Sequence, residues 1–312
     1  MRARLIVILV GLALLAAVPP LAKLLNEPFY VDLLRRVMIF AIAAVSLNLI
    51  LGYGGMVSFG HAAYLGVGAY AVAILAFHGV TSGWVQWGVA IGASAAVALV
   101  IGAISIRTSG IYFIMITLAF TQMLYYLAIS LDDYGGDDGM RLAKRSDFGD
   151  WLDLSSPAVF YYFVLAILVL FVWITHRLVE SRFGMVIRAA KSNEARTRAI
   201  GLSPYLYRLT AFVIAGAMCG VAGALMVNHT NYLTPDFMHW TRSGELMFMV
   251  ILGGIGTLTG PVLGAFVLLM LEDLLSGWTV HWQLYLGAFL VFIVLYARKG
   301  LAGLLPGGRR DG

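Results

Sequence analysis

The feature that most constrains this chain is a series of long apolar runs, with charge confined to the stretches between them. The runs cover 5–22, 33–52, 60–78, 84–106, 110–130, 158–176, 207–228, 243–253, 259–275 and 282–297. Most approach the ~20 residues a helix needs to cross ~30 Å of hydrocarbon. Only 12% of the 312 residues are charged, where soluble domains carry roughly 25%. A soluble chain this apolar could not cover its core with polar surface. The expected fold class is therefore all-α: a polytopic transmembrane helix bundle, one domain over 1–312, with about ten crossings. The run 243–253 is short, and it ends in Gly253-Gly254-Ile255-Gly256-Thr257-Leu258-Thr259-Gly260-Pro261. Glycine and proline interrupt a helix there, so a half-helix or re-entrant segment is expected.

Charge predicts orientation. The stretch after residue 176 carries Arg177, Arg182, Arg188, Lys191, Arg196, Arg198 and Arg208 against Glu180 and Glu194. By the excess of Lys and Arg on the cytoplasmic side, 177–206 is expected inside. The stretch 131–157 carries Asp132, Asp133, Asp137, Asp138, Asp147, Asp150 and Asp153 against Arg141, Lys144 and Arg145, consistent with a periplasmic loop. Arg2, Arg4, Arg107, Arg298, Lys299, Arg309 and Arg310 then fall inside, with both termini cytoplasmic, and parity requires 243–253 to cross. Arg35 and Arg36 dissent: they open the second span on its outer side, where they snorkel or pair with Asp32. Arg2 and Arg4 before Leu5–Val18 resemble a signal peptide, but the rest of the chain stays in the membrane, so an uncleaved first helix is expected. The net charge of +5 reads as basic cytoplasmic loops, not as nucleic-acid binding. The single Cys219 forms no internal disulfide or metal cluster and reads as a small packing residue.

Several chemistries are missing. There is no G-x-x-x-x-G-K-[ST] phosphate loop, no H-E-x-x-H and no G-x-S-x-G. The six histidines show no metal-ligand spacing. Asp133–Gly139 is acidic but places Tyr134 where an EF-hand register needs Asp. Gly52-Tyr53-Gly54 resembles a potassium filter without its Thr-Val lead-in. No catalytic residue, metal or cofactor is expected. Glu245, Glu272 and Asp273 sit near outer ends, so no carboxylate is available at depth for proton coupling. A pathway without fixed charge fits a neutral or zwitterionic solute. Pathway candidates are Asn48, Gly52, Gly55, Ser58, His61, Thr117 and Gln122: polar groups at or near membrane depth, and glycines that permit broken helices. Helix–helix hydrogen bonding is the alternative for each polar group. A weak internal echo relates Ile50–Gly60 to Ile251–Gly260.

The segment Ser181–Gly201 reads as a helix. Ala, Arg and Met favour it, Gly201 suits a C-cap, Pro204 follows as a stop, and Glu194 and Arg198 stand at i, i+4. Val186, Ile187, Ala190 and Ile200 supply a small apolar face. Such a helix either docks in a partner's groove or lies on the membrane surface.

Four stretches resemble one family. Ser46-Leu47-Asn48-Leu49-Ile50-Leu51-Gly52-Tyr53-Gly54-Gly55-Met56-Val57-Ser58-Phe59-Gly60-His61 and on to Tyr70 is similar to a signature of the permeases of branched-chain amino acid ABC importers. Gly110–Phe120 resembles the next signature of the M-type subunit, Ser181–Gly201 the cytoplasmic coupling segment, and Leu252–Ala265 a fourth motif, all in family order. The resemblance implies a type II ABC importer-like permease in the bacterial inner membrane, surrounded by membrane lipid. It implies a second, H-type permease, two cytoplasmic ABC ATPase subunits that supply ATP hydrolysis, and a periplasmic solute-binding protein. Residues 183–201 would seat in an ATPase groove, with Arg188, Ala189, Ala190, Asn193, Glu194, Ala195 and Gly201 as coupling residues. Glu194 and Gly201 fall on the family's own Glu and Gly. The implied cargo is branched-chain or hydrophobic amino acids, or urea, amides or aromatic acids as in some subgroups. Tyr134–Met140 departs from a Thr-Gly-Gly-x-x-Gly-like run. A non-transporting scaffold or sensor and an ion-coupled carrier are the alternatives from other classes.

Overall fold

The computed structural model describes residues 2–25, 27–142, 144–149, 153–296 and 300–304. The charges expected inside at Arg298, Lys299, Arg309 and Arg310, the acidic Asp150, and the side chains of Arg2 and Arg4 lie outside what is described. Each of the ten apolar runs forms a helix. These are α1 (Arg2–Leu25), α2 (Phe29–Asn48), α3 (His61–Phe77), α4 (Gly83–Ser105), α5 (Ile111–Ile129), α6 (Pro157–Glu180), α9 (Pro204–Thr230), α10 (Trp240–Gly253), α11 (Gly260–Trp278) and α12 (Trp282–Tyr296). Between α6 and α9 lie two short polar helices, α7 (Arg182–Ser192) and α8 (Glu194–Ala199). Among the described residues, six helices are long and apolar enough to cross a membrane: α2 with the turn that follows it, α4, α5, α6, α9 and α11.

Local sequence explains the boundaries. Pro157, Pro204 and Pro261 open α6, α9 and α11, where the missing N–H costs nothing. The Ser181 hydroxyl caps α7 by accepting from Gly184 N–H at 3.4 Å. The expected single helix over 183–201 divides at Asn193, whose backbone is extended (φ −157°). Its side chain instead accepts from Arg196 N–H at 2.9 Å. Asparagine competes with helix in this way, ending one helix and capping the next. Gly201 follows α8 with φ +84°, the left-handed C-cap geometry expected of it. Pro204 proves to be the start of α9 as well as the stop before it.

Helices α2 and α9 form the centre. In the most apolar 18-residue window, 94% of the α2 span and 78% of α9 are buried, against 22–39% for α4, α5, α6 and α11. Small residues let them sit there. Ala41, Ala43 and Ala44 are fully buried on α2. Helix α9 packs on α3, α4 and α2, while α10 and α11 flank α2 from elsewhere. A Cβ added at Gly68 would lie 2.1 Å from the Gly220 carbonyl oxygen, and one at Gly223 would lie 1.8 Å from that of Leu65. These near-contacts of backbone on backbone carry the α3–α9 pairing, as small residues do wherever lipid supplies no hydrophobic drive.

The two dissenting arginines are paired. Arg35, 4% exposed, forms an ion pair with Asp32 and donates from Nε to His229 Nδ1 at 3.0 Å. The guanidiniums of Arg35 and Arg145 lie 4.9 and 5.0 Å from the Phe160 ring centre. Arg36 pairs with Glu272 on α11 at 3.3 Å. At the same end, β1 (Met140–Arg141) pairs antiparallel with β2 (Tyr232–Leu233). This two-residue ladder is a small departure from an all-α chain. It anchors the glycine-rich turn at 135–139 beside α9.

If α3 and α9 depend on that backbone contact, Gly223→Val forces them apart. The expected cost is about 1–3 kcal/mol, as for overpacked cores, read as a lower thermal unfolding midpoint in detergent. An unchanged midpoint would show that the contact is slack.

Candidate functional site

After Asn48 the chain does not simply leave α2. Residues Leu49–Tyr53 form a π turn, and Gly54–Gly60 are non-helical before α3 begins at His61. Non-helical backbone among apolar helices needs hydrogen-bond partners from the protein itself. They come from several elements. The Thr117 hydroxyl on α5 accepts from Phe59 N–H at 3.3 Å, and Thr121 donates to the Phe59 carbonyl at 3.2 Å. The Ser58 hydroxyl accepts from Gly60 N–H at 3.1 Å, and that of Ser243 on α10 accepts from Ala62 N–H at 2.9 Å. His61 Nε2 lies 2.8 Å from the Ser46 hydroxyl.

Asn48 joins this break to the second one. Its Nδ2 donates to the Thr257 carbonyl at 2.9 Å, and its Oδ1 accepts from Gly256 N–H at 3.0 Å. One amide thus satisfies a donor and an acceptor in the turn between α10 and α11. The approach is so close that a Cβ at Gly52 would stand 2.1 Å from Asn48 Oδ1 and 2.6 Å from Gly256 N. Thr257 closes the turn by donating to the Gly254 carbonyl at 2.7 Å and accepting from Gly260 N–H at 3.1 Å. The two glycine-rich stretches that echo one another in sequence therefore lie against each other.

The pathway candidates divide into groups. Asn48, Gly52 and Gly55 meet at the paired breaks. Ser58, His61 and Thr117 gather where the non-helical stretch passes into α3, and all three are buried. Gln122 stands apart on α5, half-buried and with no side-chain hydrogen bond among the described residues. A cavity of about 140 Å³ opens beside the first break, lined by Gly54, Gly55, Met56, Ile106, Phe113 and Arg208 among others. A larger one, about 680 Å³, lies at the opposite end beside Arg141 and Tyr232, away from these candidates.

The segment 181–201 sits at the first break. Arg188 donates to the Val179 carbonyl at the end of α6 at 3.2 Å. Lys191 Nζ donates to the Gly52 carbonyl at 2.7 Å. Arg208 on α9 donates to the Ala190 carbonyl near the end of α7 at 3.1 Å and to Glu194 at 2.6 Å. Glu194 also takes the expected i, i+4 partner, Arg198, at 2.5 Å. Partial burial works to raise the Glu194 carboxyl, but hydrogen bonds and charge from Arg208 and Arg198 outweigh it and hold its pKa below the ordinary value. Among the expected coupling residues, Ala189, Asn193, Ala195 and Gly201 are exposed, Arg188 and Glu194 half-buried, and Ala190 buried. Met185 and Ile200 add exposed apolar surface. Lys191 and Arg208 entered the sequence reading only as charges. Their partners here are mainly backbone carbonyls, which carry no side-chain signature.

The family described as "Branched-chain amino acid transport system / permease component" matches residues 29–297. The high-affinity branched-chain amino acid transport system permease protein LivM of Escherichia coli K12 is 26% identical over 87% of this chain and 69% of its own length. A probable branched-chain amino acid transport permease protein LivM of Methanocaldococcus jannaschii is 26% identical over 88% of this chain and 94% of its own. The LivH permease of E. coli K12 is 23% identical over 85% of this chain and 91% of its own. No solved structure matches.

Two measurements probe the site. Asn48→Ala leaves Gly256 N–H and the Thr257 carbonyl without partners. The expected cost is about 2–4 kcal/mol, with faster amide exchange at 254–257; unaltered exchange would show that the turn holds itself. Glu194, with its pKa depressed in the folded chain, contributes stability that is complete above its unfolded pKa and is lost as pH falls through the folded value. Exchange protection in α8, corrected for intrinsic rates, should hold at neutral pH and decline below about pH 4. Glu194→Gln should remove that dependence, and a pH-independent wild type would contradict it.

Proposed function

Because the chain belongs to the branched-chain amino acid transport system permease family, we propose that it is the membrane subunit through which an ATP-driven importer passes its solute. The chain is a multi-pass membrane permease. Its cargo in this reading is a branched-chain or other hydrophobic amino acid, or a related small neutral or zwitterionic solute. Two cytoplasmic ATPases would drive it, an H-type permease would complete the pathway, and a periplasmic binding protein would deliver the solute. All ten long helices cross in this reading, α3 and α10 joining partway through the bilayer at the two breaks. The termini and α7–α8 face the cytoplasm, and 131–157 faces the periplasm.

The observation that carries the reading is the α7–α8 pair. It is basic and exposed along Ala189, Asn193, Ala195 and Ile200, yet fixed to α6 by Arg188 and to α9 by Glu194. A motif rigidly held on its inner face and open on its outer face suits docking to a moving partner better than lying loosely on lipid. ATP binding would draw the ATPases together, carry α7–α8 with them, and shift α6 and the tightly packed α3–α9 pair against the rest of the bundle. The chain contributes no nucleotide site to that cycle.

Co-expression with the partner subunits and purification in mild detergent tests the reading. Two nucleotide-binding proteins should co-purify, and the double variant Glu194→Ala, Gly201→Leu should lower solute uptake per ATP hydrolysed in proteoliposomes. A solitary chain that transports by itself, or a double variant coupled like wild type, would contradict it.

A further inference from the structure

We propose that Lys191 is the positioning residue through which the α7–α8 pair acts on the interrupted end of α2, an inference that rests on the importer reading above. The ends of helices leave carbonyls without intrahelical partners, and these concentrate partial negative charge. At the end of α2 the π turn presents the Gly52 carbonyl, and Lys191 Nζ meets it at 2.7 Å across 139 residues of sequence. A cationic donor on such a carbonyl is both a hydrogen bond and a favourable charge–dipole contact.

What makes this contact more than a surface cap is where Gly52 sits. It lies under Asn48 Oδ1 and Gly256 N, within 2.1 and 2.6 Å of where a Cβ would stand. The residue Lys191 holds is thus the one at which the two breaks meet. Three residues further on, Gly55 has φ +70°, and a Cβ there would lie 2.9 Å from Lys191 Cγ. The lysine stem therefore lies across the turn by which the chain leaves α2. The N–H of Met56 returns to the Ile50 carbonyl at 2.9 Å, closing that turn beneath it. Gly54 and Gly55 also line the 140 Å³ cavity. A displacement of α7 is passed by the lysine to the Gly52 carbonyl, from there through Asn48 to the 254–257 turn, and through Gly55 to the cavity wall. Arg188 and Glu194 tie the same pair to α6 and α9. Lys191 adds α2, the most deeply buried helix, to the elements that α7–α8 can move.

The test uses the complete importer in proteoliposomes and reads solute uptake per ATP hydrolysed. Lys191→Met should lower that ratio about tenfold, within the range of ordinary coupling effects. Lys191→Arg, which restores a cationic donor, should recover most of it. A purely structural role would lower uptake and hydrolysis together and leave the ratio unchanged, which would overturn the proposal, as would a Lys191→Met ratio equal to wild type. Should the methionine variant fail to accumulate, Lys191→Gln, with a shorter neutral donor, carries the same comparison. A wild-type complex that shows no ATP-dependent uptake overturns the importer reading itself, whereas a normal Lys191→Met complex overturns only the role of the lysine.

Discussion

Backbone hydrogen bonding inside an apolar bundle is the constraint on which this structure turns. Wherever a helix breaks among helices and lipid, its N–H and C=O groups must find partners within the protein. Among the described helices the chain breaks near one end after α2 and after α10, and side chains from several elements answer the two breaks. Asn48 gives a donor and an acceptor to the 256–257 turn, while Ser58, Thr117, Thr121 and Ser243 serve the backbone at 59–62. The polar groups that stand out in an apolar sequence are thus engaged by interruptions of the helices. Any solute contact by these residues would require those bonds to exchange, which suits a pathway that opens transiently.

The same accounting explains the basic stretch after α6. Positive residues there are expected from topology alone, but three of them do something more specific. Arg188 reaches a carbonyl at the end of α6, Lys191 one at the end of α2, and Arg208 one near the end of α7. Helix ends and cations are gathered at one level, so the short α7–α8 pair is bonded to the ends of long helices instead of floating beside them. A load applied to the pair has a direct route into the bundle centre.

Much of this was legible in sequence, for identifiable reasons. Hydrocarbon thickness sets a length scale, so ten apolar runs could be read as ten helices, with breaks marked by Pro204 and by the run Gly253–Pro261. The i, i+4 pair Glu194–Arg198 and the cap at Gly201 follow from local geometry and appear as expected. The division at Asn193 was local too, but a run of strong helix formers on both sides concealed it. Contacts between a side chain and a distant backbone were not legible. Asn48 finds Thr257 across 209 residues, and nothing in the sequence of a carbonyl group announces its partner. The echo between 50–60 and 251–260 pointed at the right two segments without showing that they touch.

The central claim is that α7–α8 and the paired breaks move as one unit in response to the partner ATPases. Amide hydrogen exchange of the assembled complex, with and without bound ATP, tests this most directly. The account predicts that nucleotide changes protection in α7–α8 and, together with it, at 54–56 and 254–257, while the α3–α9 contact at Leu65 and Gly220 stays constant. Protection that changes in α7–α8 alone, leaving both breaks indifferent to nucleotide, would contradict it.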